Sequence, residues 1–124
     1  MATSSFNIKD LMVHLVNIAM EAKQTLQPGE VLSESLQELE ELADGVCVSS
    51  TRIGNLIYGL KQIQNPTSAQ TSEIYSQVRE LRSERTVMLQ KLLKNKLLPS
   101  WIKYEITTNL PRLICLEDPD YYHI

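Results

Sequence analysis

Apolar residues return at alternating intervals of four and three along the start of the chain, at Ile8, Met12, Leu15, Ala19, Ala22 and Leu26. That 3.5-residue period is the signature of an α-helix with one face held against a neighbour. Leu11 and Ile18 stand beside the seam and widen it, and a stripe of that width needs more than one neighbouring helix, so the spacing predicts a bundle. Ser5 or Asn7 can cap this helix, Asp10 suits the positive end of its dipole, and Gln27, Pro28 and Gly29 stop it, which gives a helix over residues 6–26.

The same period governs two further stretches. Over residues 31–64, Leu32, Leu36, Leu39, Ala43, Val46, Ile53, Ile57 and Leu60 share one heptad frame, with Ser50 in the place of the missing apolar residue. Gly45, Val46, Val48, Ser49, Ser50, Thr51 and Gly54 have poor helix propensity, which leaves a kink or a short break near residues 45–50 open, and the frame continuing across it favours a kink. Ser50, Gly54 and Gly59 are also small enough to let another helix approach. Asn65 and Pro66 end this segment, and Thr67 through Gln70 form a capping box, so a helical hairpin is expected about residues 65–68. The third helix, over residues 68–97, carries Ile74, Val78, Leu81, Met88 and Leu92, with Leu89, Leu93 and Leu97 in a second row and Pro99 beyond its end. Ile57, Leu60, Ile74 and Leu81 are expected to be largely buried around the turn. Arg85 interrupts the seam and reads as a snorkelling side chain that sets register or pairs with an acid.

The last quarter changes character. Ser100 can cap a short helix over residues 101–109, yet Ile102, Tyr104, Ile106 and Thr108 alternate as a strand would; helix is the reading adopted. Pro111 breaks the chain before the apolar run through Leu116, and an acidic, aromatic tail closes it. The expected fold class is therefore all-α: three long helices in an antiparallel hairpin or bundle with coiled-coil-like packing, plus a short C-terminal appendage. A helical domain over residues 1–98 is followed by the appendage over 99–124.

Charge is distributed unevenly. Six acids and no base lie between Gln24 and Thr51, whereas seven bases lie from Arg79 to Lys103 against Glu80 and Glu84. A hairpin turning at residues 65–68 brings the acidic and basic halves together, which selects antiparallel register more than it stabilises, since exposed pairs contribute about 0 to 1 kcal/mol each. Arg79, Arg82, Arg85, Lys91, Lys94 and Lys96 form the strip a nucleic acid would use, but the net charge of −3 and the acidic neighbour disfavour that partner.

Chemistry-bearing motifs are missing. There is no glycine-rich phosphate loop, HExxH, CxxC, GxSxG or calcium loop, and no Glu stands three residues before His14 or His123 as a di-metal bundle would require. Glu34, Glu38 and Glu41 share a helix face without a His or Lys beside them, which describes a solvated face rather than an acid–base pair. His14 reads as a surface or boundary residue. Cys47 and Cys115 sit in apolar runs and read as small buried hydrophobes in a reducing compartment, nucleus or cytoplasm, in preference to a disulfide. With 43% hydrophobic residues, no apolar run of membrane length and no signal-peptide pattern, the 124-residue chain should fold as one unit outside the membrane.

No enzymatic activity, cofactor or metal is expected. The function expected is that of an adaptor or assembly subunit of a larger intracellular complex, bound to other protein subunits through helical apolar faces. Small helical subunits of transcription coactivators, kinetochores and vesicle-tethering complexes are similar in size and helix layout. Trp101 and Tyr104 are the expected partner anchors, joined by Ile8, Leu15 and Ile18 from the wide stripe of the first helix. Two alternatives stand beside this one: a small nucleic-acid-associated or viral accessory protein using the basic strip, and a homodimeric or higher-order structural coiled coil.

Overall fold

The breakers fall where the chain turns. In the computed structural model, residues 8–26 and 34–115 are described, and they fold into α1 (Ile8–Gln24), α2 (Glu34–Gln62), α3 (Ser68–Leu92) and α4 (Ser100–Cys115), with no strand among them. Each helix packs on the next in the chain, α2 on α3 most extensively, in a bundle-like all-α fold.

The α2–α3 turn forms as its residues dictate. Asn65 takes the left-handed conformation with φ of 53°, which Asn tolerates better than most residues. The capping box is present in both halves: the Gln70 amide donates to Thr67 Oγ1 at 3.1 Å, and the Thr67 amide donates to Gln70 Oε1 at 2.9 Å. Thr67→Ala is therefore expected to lower stability by about 1 kcal/mol, read as a drop in the thermal midpoint.

α2 runs unbroken through residues 45–50, so of the two alternatives the break is not realised. The compensations are local. Ser49 folds its hydroxyl back onto the carbonyls of Gly45 and Val46 at 2.8 and 3.2 Å, and Gly45 faces the thioether of Met88, whose sulfur stands where a Cβ would go. The close approach thus belongs to Gly45; Gly59 faces open space, and its smallness serves no contact. Gly45 against Met88, Ser50 against Arg85 and Ser35 against Asn95 are antiparallel partners within about one helical turn of the register that a turn at residues 65–68 imposes.

The core has two unequal parts. The larger joins all four helices and includes Leu11 and Leu15 of α1, Leu39 and Val46 of α2, Leu89 and Leu92 of α3, and Ile102 and Ile106 of α4. The smaller, toward the hairpin turn, holds only Ile53, Ile57 and Val78, with Leu56, Ile74 and Leu81 half-buried around it. Of the four residues expected to be buried near the turn, only Ile57 is; Leu60, Ile74 and Leu81 are half-buried, because α2 and α3 alone enclose only the innermost residues of this cluster. The centre of the fold lies at the four-helix end.

Arg85 and Ser50 separate the two parts. Arg85 is 0% exposed and donates from Nη1 to Ser50 Oγ at 3.2 Å, so it does not snorkel. The two interruptions of the heptad seams, one polar residue on each helix, meet in one layer.

α3 ends at Leu92, five residues short of the expected limit, because Asn95 turns the chain. The buried Asn95 amide donates to the Ser35 carbonyl at 2.9 Å and to Glu38 Oε1 at 3.3 Å, while its Oδ1 accepts from the Leu97 amide at 2.9 Å. It ties the α3–α4 connection to the start of α2. α4 then extends past Pro111, which sits inside it. The expected short appendage is a 16-residue helix, and Leu98 and Ile102, on either side of the 98/99 boundary, lie in one cluster. The row Leu98, Ile102, Ile106 and Leu110, spaced at four, overrode the strand-like alternation.

Candidate functional site

α1 has three kinds of surface, set by the 100° step between residues. Ile8, Leu11, Leu15 and Ala19 point into the core. His14 lies to one side, exposed, with its ring 5.0 Å from that of Trp101 at 86°, an edge-to-face contact that lays the start of α4 against α1. On the other side, Val13, Val16 and Met20 are 56%, 40% and 53% exposed and follow one another at intervals of three and four. Among the described residues nothing covers this third apolar row.

That row borders a groove between α1 and the antiparallel α2. One part of it, about 340 Å³, is lined by Val16, Ala19 and Met20 of α1 and by Ala43, Asp44 and Cys47 of α2. Lys23 Nζ and Glu40 Oε1, 3.8 Å apart, close this end with a partly exposed ion pair that contributes little to stability. The other part, about 350 Å³, lies between Lys9 and Met12 of α1 and Ser50, Thr51, Asn55 and Tyr58 of α2. The two parts follow each other along the same pair of helices. Cys47 is a free thiol in the first of them, its pKa raised by burial and by the neighbouring Asp44 carboxylate, so the neutral thiol is favoured there. The side chain of Cys115 lies outside the described residues.

The residues singled out from sequence fare differently. Ile8 and Leu15 are buried in the chain's own core, Ile8 also at the wall of the second part of the groove; Ile18 is half-buried against the same core. The wide stripe is real, but its inner rows are consumed internally and the surplus lies at Val13, Val16 and Met20, whose three-and-four spacing is visible in the sequence. Trp101 and Tyr104 are 53% and 67% exposed, with Trp101 also engaged by His14.

The basic strip is divided. Arg79, Lys91, Lys94 and Lys96 are exposed, Arg82 is half-buried, and Arg85 is sealed in the core, where no phosphate can reach it. Arg52, Glu80 and Glu84 border one polar recess, so the first half of the strip is interleaved with acids. Nor do the charges pair wholly as the hairpin suggested: Glu40 is held by Lys23 of α1, and Glu38 by the amide of Asn95.

Among the described residues, no group of three or more His, Cys, Asp or Glu side chains is placed to hold a metal ion, and no helix is long and apolar enough to cross a membrane. Comparison with family models, curated proteins and solved structures gave no match to this chain.

Proposed function

We propose that the protein is a non-catalytic helical adaptor, an assembly subunit of a larger multiprotein complex, which docks a partner along the α1–α2 groove. The observation that carries this reading is the Val13, Val16 and Met20 row, an exposed apolar stripe beside a groove on a rigid two-helix wall. Interfaces of this kind gain affinity from apolar side chains entering a preformed groove, read as anchors at helical spacing. Trp101 and Tyr104 give a second exposed aromatic edge on α4 that a larger partner can also use.

The test is a charge insertion at exposed positions. Val16→Glu combined with Met20→Glu is expected to leave the thermal midpoint within a few degrees of the parent while removing most of the proteins that co-purify with the tagged chain from its native cells. An unchanged set of co-purifying proteins rejects the docking role. A homodimer is the competing use of the same stripe, separated by light scattering during size-exclusion chromatography. For nucleic acid, the exposed Lys91, Lys94 and Lys96 give partial support, and the buried Arg85 with the interleaved Glu80 and Glu84 counts against it.

A further inference from the structure

The two walls of the groove differ in kind. The α1 wall is aliphatic, through Val16, Met20 and the neighbouring Val13. The α2 wall carries carboxylates: Glu40 and Asp44 line the groove, and Glu41 stands exposed one turn before Asp44. Glu40 is answered by Lys23 at 3.8 Å, and Glu41 accepts from the Gln37 side-chain amide at 3.4 Å. Among the described residues no cation is paired with Asp44 or Glu41. The sequence accounts for this, since six acids and no base lie between Gln24 and Thr51, so this half of α2 has no means of neutralising itself. Val48, one turn after Asp44, is 48% exposed and sets an aliphatic side chain beside the acids.

From this layout we infer that the groove receives an amphipathic helix of a different protein, with an aliphatic row against Val16, Ala19 and Met20 and a flank of lysines or arginines over Asp44 and Glu41. The inference rests on the docking reading above and adds the partner's chemistry to it. From Val13 to Lys23 the α1 wall is about 15 Å long at 1.5 Å per residue, a contact of roughly three helical turns. An aliphatic row alone fits many helices; the unlike walls narrow the choice. Rolled so that its bases lie over α1, the same helix sets ammonium groups on Val16 and Met20 and leaves the carboxylates unmatched. A helix with an acidic flank meets like charge on α2. Charge arranged in this way selects the partner and its placement more than it adds affinity. Glu34 and Glu38, exposed on the same half of α2, extend the negative field that draws a basic helix in.

A second copy of this chain is a poorer occupant. Its free apolar row lies on α1, whose two acids and two bases cancel, so it brings no excess of positive charge to the α2 wall.

Four fluorescein-labelled synthetic peptides, each about 18 residues so that a helix can form, test the inference on the full chain. Three share a leucine row at helical spacing and differ on one flank, which is Lys, Gln or Glu. The fourth has the composition of the Lys peptide in an order that breaks the row. Fluorescence anisotropy is expected to rank the first three Lys, Gln, Glu, with the Lys peptide about tenfold tighter than the Gln peptide and the scrambled peptide weaker than either. Raising the salt to about 0.5 M should bring the Lys and Gln peptides to within about twofold of each other. Asp44→Lys with Glu41→Lys, both at exposed positions, should reverse the order of the Lys and Glu peptides and leave the thermal midpoint within a few degrees. A nitroxide at the middle of the Lys peptide should bleach the backbone amide resonances of Val16, Met20, Asp44 and Cys47.

Equal binding by the Lys, Gln and Glu peptides, or an order that the double variant leaves unchanged, overturns the charge assignment while leaving the adaptor reading intact. A scrambled peptide that binds as tightly as the ordered one overturns the helix and reduces the contact to unspecific attraction by the acids of α2. No binding by any peptide overturns the groove as a helix site; the co-purification result for Val16→Glu with Met20→Glu then decides whether the adaptor reading falls too. Self-association of the parent chain that Val16→Glu abolishes assigns the groove to a second copy and overturns the inference.

Discussion

Ending the chain at Leu97 is expected to abolish the cooperative thermal melt and raise the binding of a dye specific for exposed apolar surface. The truncation removes Leu98, Ile102 and Ile106, all buried in the larger cluster, and uncovers the remainder of that cluster, including Leu89 and Leu92 of the α3 helix on which α4 packs. Burying each such aliphatic side chain contributes about 1.5 to 3 kcal/mol, so the three together approach the roughly 5 to 15 kcal/mol by which domains are stable at all. The entropy recovered by not ordering α4 offsets part of that loss, but it does nothing for the cavity left in the cluster. Two point variants separate packing from chain length: Ile102→Ala and Ile106→Ala are each expected to cost about 2 to 5 kcal/mol by denaturant unfolding, because a four-helix core cannot close over the missing volume. A truncated chain that melts at the parent midpoint would show that α4 is an appendage after all.

That expectation reverses one drawn from the sequence, and the reason is instructive. Long helices announce themselves through many repeats of one period, so α1, α2 and α3 were legible to within a few residues except where a single side chain intervened. Asn95 is such a case: nothing in its neighbourhood says that its amide will reach Ser35, some sixty residues away, and end α3 early. α4 is short, its apolar row begins before the breaker Pro99, and its β-branched residues alternate; only contact with the rest of the bundle decides between helix and strand. The docking surface was half legible. Excess apolar width on α1 follows from counting rows, but which row is left over depends on where α2 and α4 settle on either side. Hence Ile8 and Leu15, the strongest apolar residues, went inside, while the weaker Val13, Val16 and Met20 stayed out.

Arg85 is where stability and specificity part company. Removing its side chain with Arg85→Ala leaves a cavity the length of a guanidinium stem and deprives Ser50 of a donor, and is expected to cost about 2 to 4 kcal/mol. Replacing the whole layer with Arg85→Met and Ser50→Ala is expected to do the opposite and leave the melting midpoint unchanged or raise it. A buried charge carries a desolvation cost that an apolar side chain of similar volume avoids, and such exchanges have proved neutral or stabilising by about 1 to 4 kcal/mol. The loss should appear in register. With Ser50 and Arg85 gone, the seams on α2 and α3 become continuous apolar heptads, and a slide of seven residues no longer buries a guanidinium against aliphatic side chains. A cysteine pair placed at Gly45 and Met88, which face each other in the native register, reports the difference: cross-linking should be near complete in the parent background and fall severalfold in the double variant, with products appearing from a pair offset by one heptad. If Arg85→Ala melts like the parent, the layer contributes nothing; if the apolar double variant cross-links in the native register alone, the hairpin is aligned by its turn and by Asn95 and the buried layer does not set its register.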